Sequence, residues 1–245
     1  MQMNYQWKEV WEKRTGNLDQ ISRENTQEFF EELKRIDGFD ITGKVESEAW
    51  ANQHKEILHR LSKKHEIRSV FDVGCGCGAN LYLFFQEGLQ IGGLDYSKTL
   101  IDIAKEVFGN VDVLELILGE AREISTEIKY DSTIANSVFS YFSGEEYAKD
   151  VLERMVDKAR YSVGLLDLHD IRKKDRFLEY RRRTIENYDE RYKNLPKFFY
   201  RKEFFIDFAK EKNLEIDFFD TNVNGYWNNE FVFDVYLYKE RGNEK

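Results

Sequence analysis

The stretch from Ser69 to Leu81 reads Ser-Val-Phe-Asp-Val-Gly-Cys-Gly-Cys-Gly-Ala-Asn-Leu, and it restricts the possible folds more than any other part of the chain. Val70, Phe71 and Val73 form the short, β-prone apolar run of a buried strand. Gly74, Gly76 and Gly78 then alternate with two small cysteines, and Leu81-Tyr82-Leu83-Phe84-Phe85 opens an apolar helical stretch. A strand running through a glycine turn into a helix presents bare backbone N–H groups to a ligand that approaches the main chain closely. Packing alone is a poor reason for three alternate glycines, since each weakens its segment by about 0.5–1 kcal/mol relative to alanine.

Gly74-x-Gly76-x-x-Ala79 satisfies the dinucleotide fingerprint, so NAD and FAD are candidate ligands. A second strand, Gln90 to Asp95, ends in an acid placed 19 residues after Gly76. That spacing suits a carboxylate accepting from the two ribose hydroxyls of an adenosine. Either ligand class therefore has an adenine nucleoside at this turn.

Asp72 extends the pattern to Asp-x-Gly-x-Gly-x-Gly, which resembles motif I of the class I, Rossmann-like methyltransferases that use S-adenosylmethionine (SAM). The resemblance implies that Gly74, Gly76 and Gly78 face the methionine moiety, that Asp72 holds its amino group, and that Asp95 with Tyr96 binds the ribose end. Glu120-Ala121 stands where the family usually has an acid and alanine beside the adenine, one methylene longer here. Tyr130-Asp131 leading to Asn136-Ser137 resembles the fourth motif, with Asn136 and Ser137 beside the transferred methyl and Tyr141-Phe142 on the substrate side. Trp11 and Arg14 resemble an aromatic-plus-arginine feature near the SAM carboxylate. The implied fold is a seven-stranded α/β sheet with its last strand antiparallel, helices on both faces and an N-terminal helical lid. S-adenosylhomocysteine (SAH) would be the product.

The remaining chain is read from its residues. Helical patterns carry Trp7, Val10 and Trp11, then Phe29, Phe30, Leu33 and Ile36, then Trp50, Ile57 and Leu61, with breaks at 17–19 and at Gly38 and Gly43. They define an N-terminal lid over 1–65 ahead of a core at 66–245. Val111–Leu118 reads as a third strand and Tyr161–Leu168 as a fifth. A polar helical insertion follows at about 171–200, containing Arg181-Arg182-Arg183. Arg182 is the candidate for an anionic acceptor group, because guanidinium forks match phosphate and carboxylate. Tyr226 and Trp227, in the loop before the final strand, are candidate substrate-binding residues. His169 follows a strand end and titrates near neutral pH, so it is the candidate base, oriented by Asp167, with Tyr141 as substitute.

Net charge of −9 disfavours a nucleic-acid partner. Cys75 and Cys77, the only two cysteines, are too few for a structural zinc site, so no metal is expected. No apolar run approaches a membrane span, and the expectation is a cytoplasmic monomer or homodimer. The function expected is methyl transfer from SAM to a small polar acceptor. An oxygen of a sugar, phosphoryl compound or other metabolite, in a bacterial surface-polysaccharide or secondary-metabolite pathway, is favoured. The alternatives are an NAD-dependent oxidoreductase and a catalytically inactive SAM-binding module.

Overall fold

Apolar residues on both faces send the first strand to the middle of a sheet. In a computed structural model, which describes residues 5–16, 18, 25–38, 45–109, 111 and 113–240, β1 (Ser69–Val73) buries Val70 on one side and Phe71 and Val73 on the other. It pairs in parallel with β2 (Gln90–Asp95) and β4 (Tyr130–Asn136), and these with β3 (Glu115–Leu118) and β5 (Ala159–His169). β7 (Val232–Tyr238) enters antiparallel between β5 and β6 (Glu215–Asp220), which gives the order β3-β2-β1-β4-β5-β7-β6. The expected seven-stranded sheet with an antiparallel last strand is present.

Two apolar layers flank it. On one face lie α2 (Thr26–Ile36), α3 (Ser47–Leu61), α4 (Ala79–Gln86) and α5 (Lys98–Val107), contributing Leu33, Trp50, Leu81 and Ile101 among others. On the other lie α6 (Glu145–Lys158) and α9 (Lys202–Lys212), through Val151, Met155, Phe205 and Phe208. Side chains that repeat at helical spacing explain each layer. Local caps fix several starts: Asn25 accepts from the Glu28 N–H, and Ser97 accepts from the Leu100 N–H. α2 and α3 share one continuous core with the sheet, and Ser162 Oγ ties β5 to the last carbonyl of α3 at 2.8 Å.

Only α1 (Tyr5–Glu12) stands over the carboxyl ends of the strands. Glu12 accepts from the Lys98 N–H at 2.9 Å and the Thr99 hydroxyl at 3.0 Å, at the positive end of α5. Trp7 Nε1–H donates to the Pro196 carbonyl at 3.0 Å. The 171–200 segment contains α7 (Lys174–Thr184) and α8 (Tyr188–Arg191), then runs back extended to a bridge between Asp170 and Tyr200.

Two boundaries differ from the sequence reading. β3 is confined to Glu115–Leu118, because it forms the sheet edge with no outer neighbour to extend it, and Leu118 is 47% exposed. β5 runs longer than expected and carries a register irregularity between Leu165 and Leu168. The breaks expected at Asn17, Asp19 and Gly43 lie outside the described residues. Among those described, no helix is long and apolar enough to cross a membrane.

Leu33, fully buried, joins α2 to the sheet layer. Leu33→Ala is expected to lower stability by about 2–5 kcal/mol, in a single unfolding transition followed by circular dichroism. A separate early transition for residues 5–61 would contradict the shared core.

Candidate active site

β1 ends in the glycine turn, which opens on a cavity of about 190 Å³ at the carboxyl edge of the sheet. Open α/β sheets bind ligands at this edge. Gly74, Gly76 and Gly78 all have positive φ, at 74°, 58° and 93°. Gly76 shows why a side chain is excluded: a Cβ there would lie 2.2 Å from Asp37 Oδ1. Gly78 has a different role. It precedes α4 and leaves room for Phe108, whose ring a Cβ would meet at 2.6 Å.

Asp95 connects the turn to the second strand. One carboxylate oxygen accepts from the Gly76 N–H at 3.0 Å and the other from the Ser97 N–H at 2.8 Å. Those two bonds leave lone pairs free for further donors. Asp37, from the end of α2, accepts from the Cys77 N–H at 2.7 Å. Burial pushes the carboxyl of Asp37 up to about 6 and that of Asp95 up to about 7, against the pull of their backbone donors. Asp72 stands behind Asn80, whose amide reaches one of its oxygens at 3.4 Å. Its other oxygen is buried without a partner, and burial raises its pKa well above the usual carboxylate range. Lys34 donates to the same Asn80 at 3.2 Å. Its charge favours the ionised forms of Asp37 and Asp72 and so offsets part of their burial.

The other half is built on the ends of β4 and β5. Ser137 and Asp167, both non-glycine residues with φ of 60°, face each other there. Asp167 accepts from Ser137 Oγ, from Tyr226 OH at 3.2 Å and from Asn228 Nδ2 at 3.0 Å. Tyr141 closes this side, packed edge-on against Trp7 and Trp11 at 4.8 and 5.5 Å between ring centroids. Lys197 Nζ lies 3.5 Å from the Tyr141 hydroxyl.

The structure brings many of the sequence-derived residues to one cavity: Gly74, Gly76, Asp95, Tyr96, Ala121, Asn136, Ser137, Tyr141, Trp11, Tyr226 and Trp227. Others do not line it. Glu120 turns to cap a short 3-10 turn and meets Tyr147 OH at 3.4 Å, while its neighbours Gly119 and Ala121 face the cavity. Arg14 lies over Trp11, 5.2 Å from the ring. Arg182 points outward and pairs with Asp189 at 2.9 Å. His169 is the main correction. Its ring is fully buried between Phe177 and Phe199, at 4.9 and 5.2 Å, with neither nitrogen bonded. Burial holds its pKa well below the ordinary imidazole value, so it sits as a neutral ring away from the cavity.

Sequence reasoning passed over Asp37, Asn80, Lys197 and Asn228, all of which line the cavity. Asp37-Gly38 is a turn signal that could have flagged the first. Among the described residues, no group of three or more His, Cys, Asp or Glu side chains could hold a metal.

A mostly parallel sheet carrying a glycine turn and a buried acid at its carboxyl edge defines a Rossmann-like fold. Residues 71–160 match the family model described as a methyltransferase domain. Those residues thus resemble a methyltransferase domain, set on a Rossmann-like sheet. One curated relative, a malonyl-[acyl-carrier protein] O-methyltransferase of Priestia megaterium, is 28% identical over 104 residues. That match spans 39% of this chain and 38% of the relative's length. Among solved structures, the SAM-bound magnesium protoporphyrin IX methyltransferase of Synechocystis PCC 6803 superposes with a TM-score of 0.56 at 14% identity, covering 79% of this chain and 81% of that one. The SAM-bound amino pentose methyltransferase CalS10 of Micromonospora echinaspora gives 0.59 at 12% identity, with 78% and 92% covered. At these identities, the structural matches establish a common fold.

Gly76→Ala is expected to destabilise the protein by about 1–3 kcal/mol, from strained backbone and the clash with Asp37. In a denaturant double-mutant cycle, adding Asp37→Ala should recover part of the loss. Full additivity would show that the two residues do not touch.

Proposed function

We propose that this chain transfers a methyl group from SAM to a small polar acceptor. The observation that carries the reading is the acidic cavity at the glycine turn. Asp37, Asp95 and Asp167 line it, and the buried, unpartnered oxygen of Asp72 stands behind it. A ligand with both an ammonium and a sulfonium offsets the cost of ionising buried carboxylates, which a dinucleotide diphosphate would increase. Open lone pairs on Asp95 fit the ribose hydroxyls. The cofactor, when bound, supplies an electrophilic methyl with a neutral leaving thioether. The work left to the protein is to orient the acceptor and exclude water, which suits Trp7, Trp11 and Tyr141 closing over the cavity. We assign α1 the part of the lid.

The relatives' names cover acyl-carrier, porphyrin and amino-sugar acceptors, which supports a small-molecule class without selecting a member. The sequence-based preference for oxygen drew on His169 and Arg182, and neither faces the cavity.

Isothermal titration calorimetry with SAM, SAH and NADH tests the reading. SAM and SAH should bind and NADH should not; the reverse result would move the chain to the oxidoreductase reading. Release of SAH with an acceptor panel separates an enzyme from an inactive SAM-binding module.

A pH dependence follows from the raised carboxyls. A cationic ligand favours their ionised forms, so binding releases protons and strengthens as pH rises through about 6 for Asp37 and about 7 for Asp95. The Kd for SAM should fall between roughly pH 5.5 and 7.5, with proton release visible as a buffer-dependent heat. A flat profile would remove these carboxylates from the site's electrostatics.

A further inference from the structure

Asn228 Oδ1 is buried in the cavity wall without a hydrogen-bond partner. The amide's orientation is fixed by its other end, because Nδ2 donates to Asp167 Oδ1 at 3.0 Å and a flip would set two oxygens face to face. Asp167 already accepts three hydrogen bonds, from Ser137, Tyr226 and Asn228. A carboxylate has about four lone-pair sites; Tyr226 and Asn228 both bond Oδ1, so the open one lies on Oδ2, the oxygen that Ser137 bonds. The hydroxyl hydrogens of Ser137 and Tyr226 are both committed to Asp167. Asn228 Oδ1 and Asp167 Oδ2 are thus two acceptors with capacity left, and Ser137 and Tyr226 have no hydroxyl hydrogen left to fill them.

An alcohol brings one hydrogen to such a pair, whereas an amine brings two or more. Tyr141, Tyr226 and Trp227 line the same space, with Arg181 over the Trp227 ring at 4.8 Å. Lys197 is the one cationic side chain lining the cavity among the described residues, and its ammonium rests over the Tyr141 ring at 4.7 Å. The position of Asp167 is itself held: its N–H donates to Asp234 Oδ1 at 3.0 Å, which also accepts from Thr221 Oγ1 at 2.8 Å. That support maintains the left-handed backbone at φ 60° that turns the carboxylate to the cavity.

We propose that Asp167 and Asn228 bind the nitrogen of an amine acceptor, and that Asp167 takes the proton this nitrogen gives up. The proposal rests on the methyltransferase reading above. In the step, the nitrogen lone pair forms the bond to the methyl carbon and the carbon–sulfur bond breaks with its electrons returning to sulfur. One N–H proton passes to the Asp167 carboxylate and then to solvent. The products are the methylated amine and the neutral thioether.

Sinefungin, an analogue of SAM with an amine-bearing carbon in place of the methylsulfonium, tests this without the acceptor. Its ammonium should meet Asp167 and Asn228, so calorimetry should show it binding about tenfold or more tighter than SAH, as expected of charge-assisted hydrogen bonds. Asp167→Asn and Asn228→Ala should each cut that advantage to less than about threefold, with SAH affinity and melting temperature near wild type. If Asp167→Asn also loses SAH, the comparison in Asn228→Ala decides. Equal binding of both ligands by the wild type, or an advantage that survives in the variants, overturns the amine subsite. Failure of both ligands to bind overturns the methyltransferase reading instead.

Discussion

The bond from the Gly76 N–H to the Asp95 carboxylate, 3.0 Å long and buried, is the joint on which the site depends. It fastens the glycine turn after β1 to the end of β2, and the second oxygen of Asp95 fastens the start of α5 through Ser97. Three elements thus share one charged group. The Leu94 carbonyl already accepts from the Gly74 and Cys75 N–H groups at 2.7 and 3.0 Å, and Asp95 extends that fastening to Gly76 and to the helix start. Glycine is required at 76 because Asp37 presses on the turn from the opposite side. Two carboxylates from distant parts of the chain therefore hold one backbone segment by its amides.

Such an arrangement is costly while the protein is free. Burial raises the pKa of Asp37, Asp72, Asp95 and Asp167 together; the charge of Asp37 adds to the penalty at Asp72 and Asp95, while Lys34 offsets part of it at Asp37 and Asp72 and Lys197 at Asp167. Backbone and side-chain donors offset only part of it. A site that keeps unfavourable buried acids is arranged for a ligand that relieves them, and this selects a cation before any shape is considered. The lid has the opposite character. Hydrogen bonds from Lys98 and Thr99 hold the carboxyl of Glu12 below its ordinary value, even though its partial burial works the other way. α1 can thus remain charged at its hinge to α5 while it covers an apolar, aromatic rim.

The legible part of the sequence was the part written in adjacent residues. The glycine turn and the spacing to Asp95 are local patterns, and the structure brings the two together through the Gly76–Asp95 bond. Asp37 was not legible, because it reaches Cys77 across 40 residues and no periodicity records that contact. His169 failed for a geometric reason. In a regular strand, residues 167 and 169 would share a face, so a base oriented by its neighbour was a natural expectation. The irregularity between Leu165 and Leu168, with φ of 60° at Asp167, breaks the alternation. Asp167 turns to the cavity and His169 into the Phe177–Phe199 layer. Arg182 failed because basic residues in a run leave a helix in different directions; Arg181 stacks 4.8 Å from Trp227 while Arg182 faces solvent.

Apart from Asp37 and Asn80, the cavity residues that were missed or misjudged belong to the side built on β4 and β5 and the segments that follow them. The cofactor side is built from a turn and two strand ends whose chemistry is encoded within about 25 residues, as Rossmann fingerprints generally are. The acceptor side joins β4, β5, the stretch before Tyr200 and the loop before β7, with Tyr226 and Asn228 reaching Asp167 across 59 and 61 residues. Its polar groups rest on irregular backbone and loops that the sheet supports without depending on them. Changes there alter which molecule is held against the methyl group while leaving the Asp95 joint intact, as expected where function is grafted on a fold. A domain match confined to residues 71–160 stops short of Asp167, Lys197, Tyr226 and Asn228. The chemistry that selects the acceptor must therefore be sought in those residues, outside the part of the chain that identifies the domain.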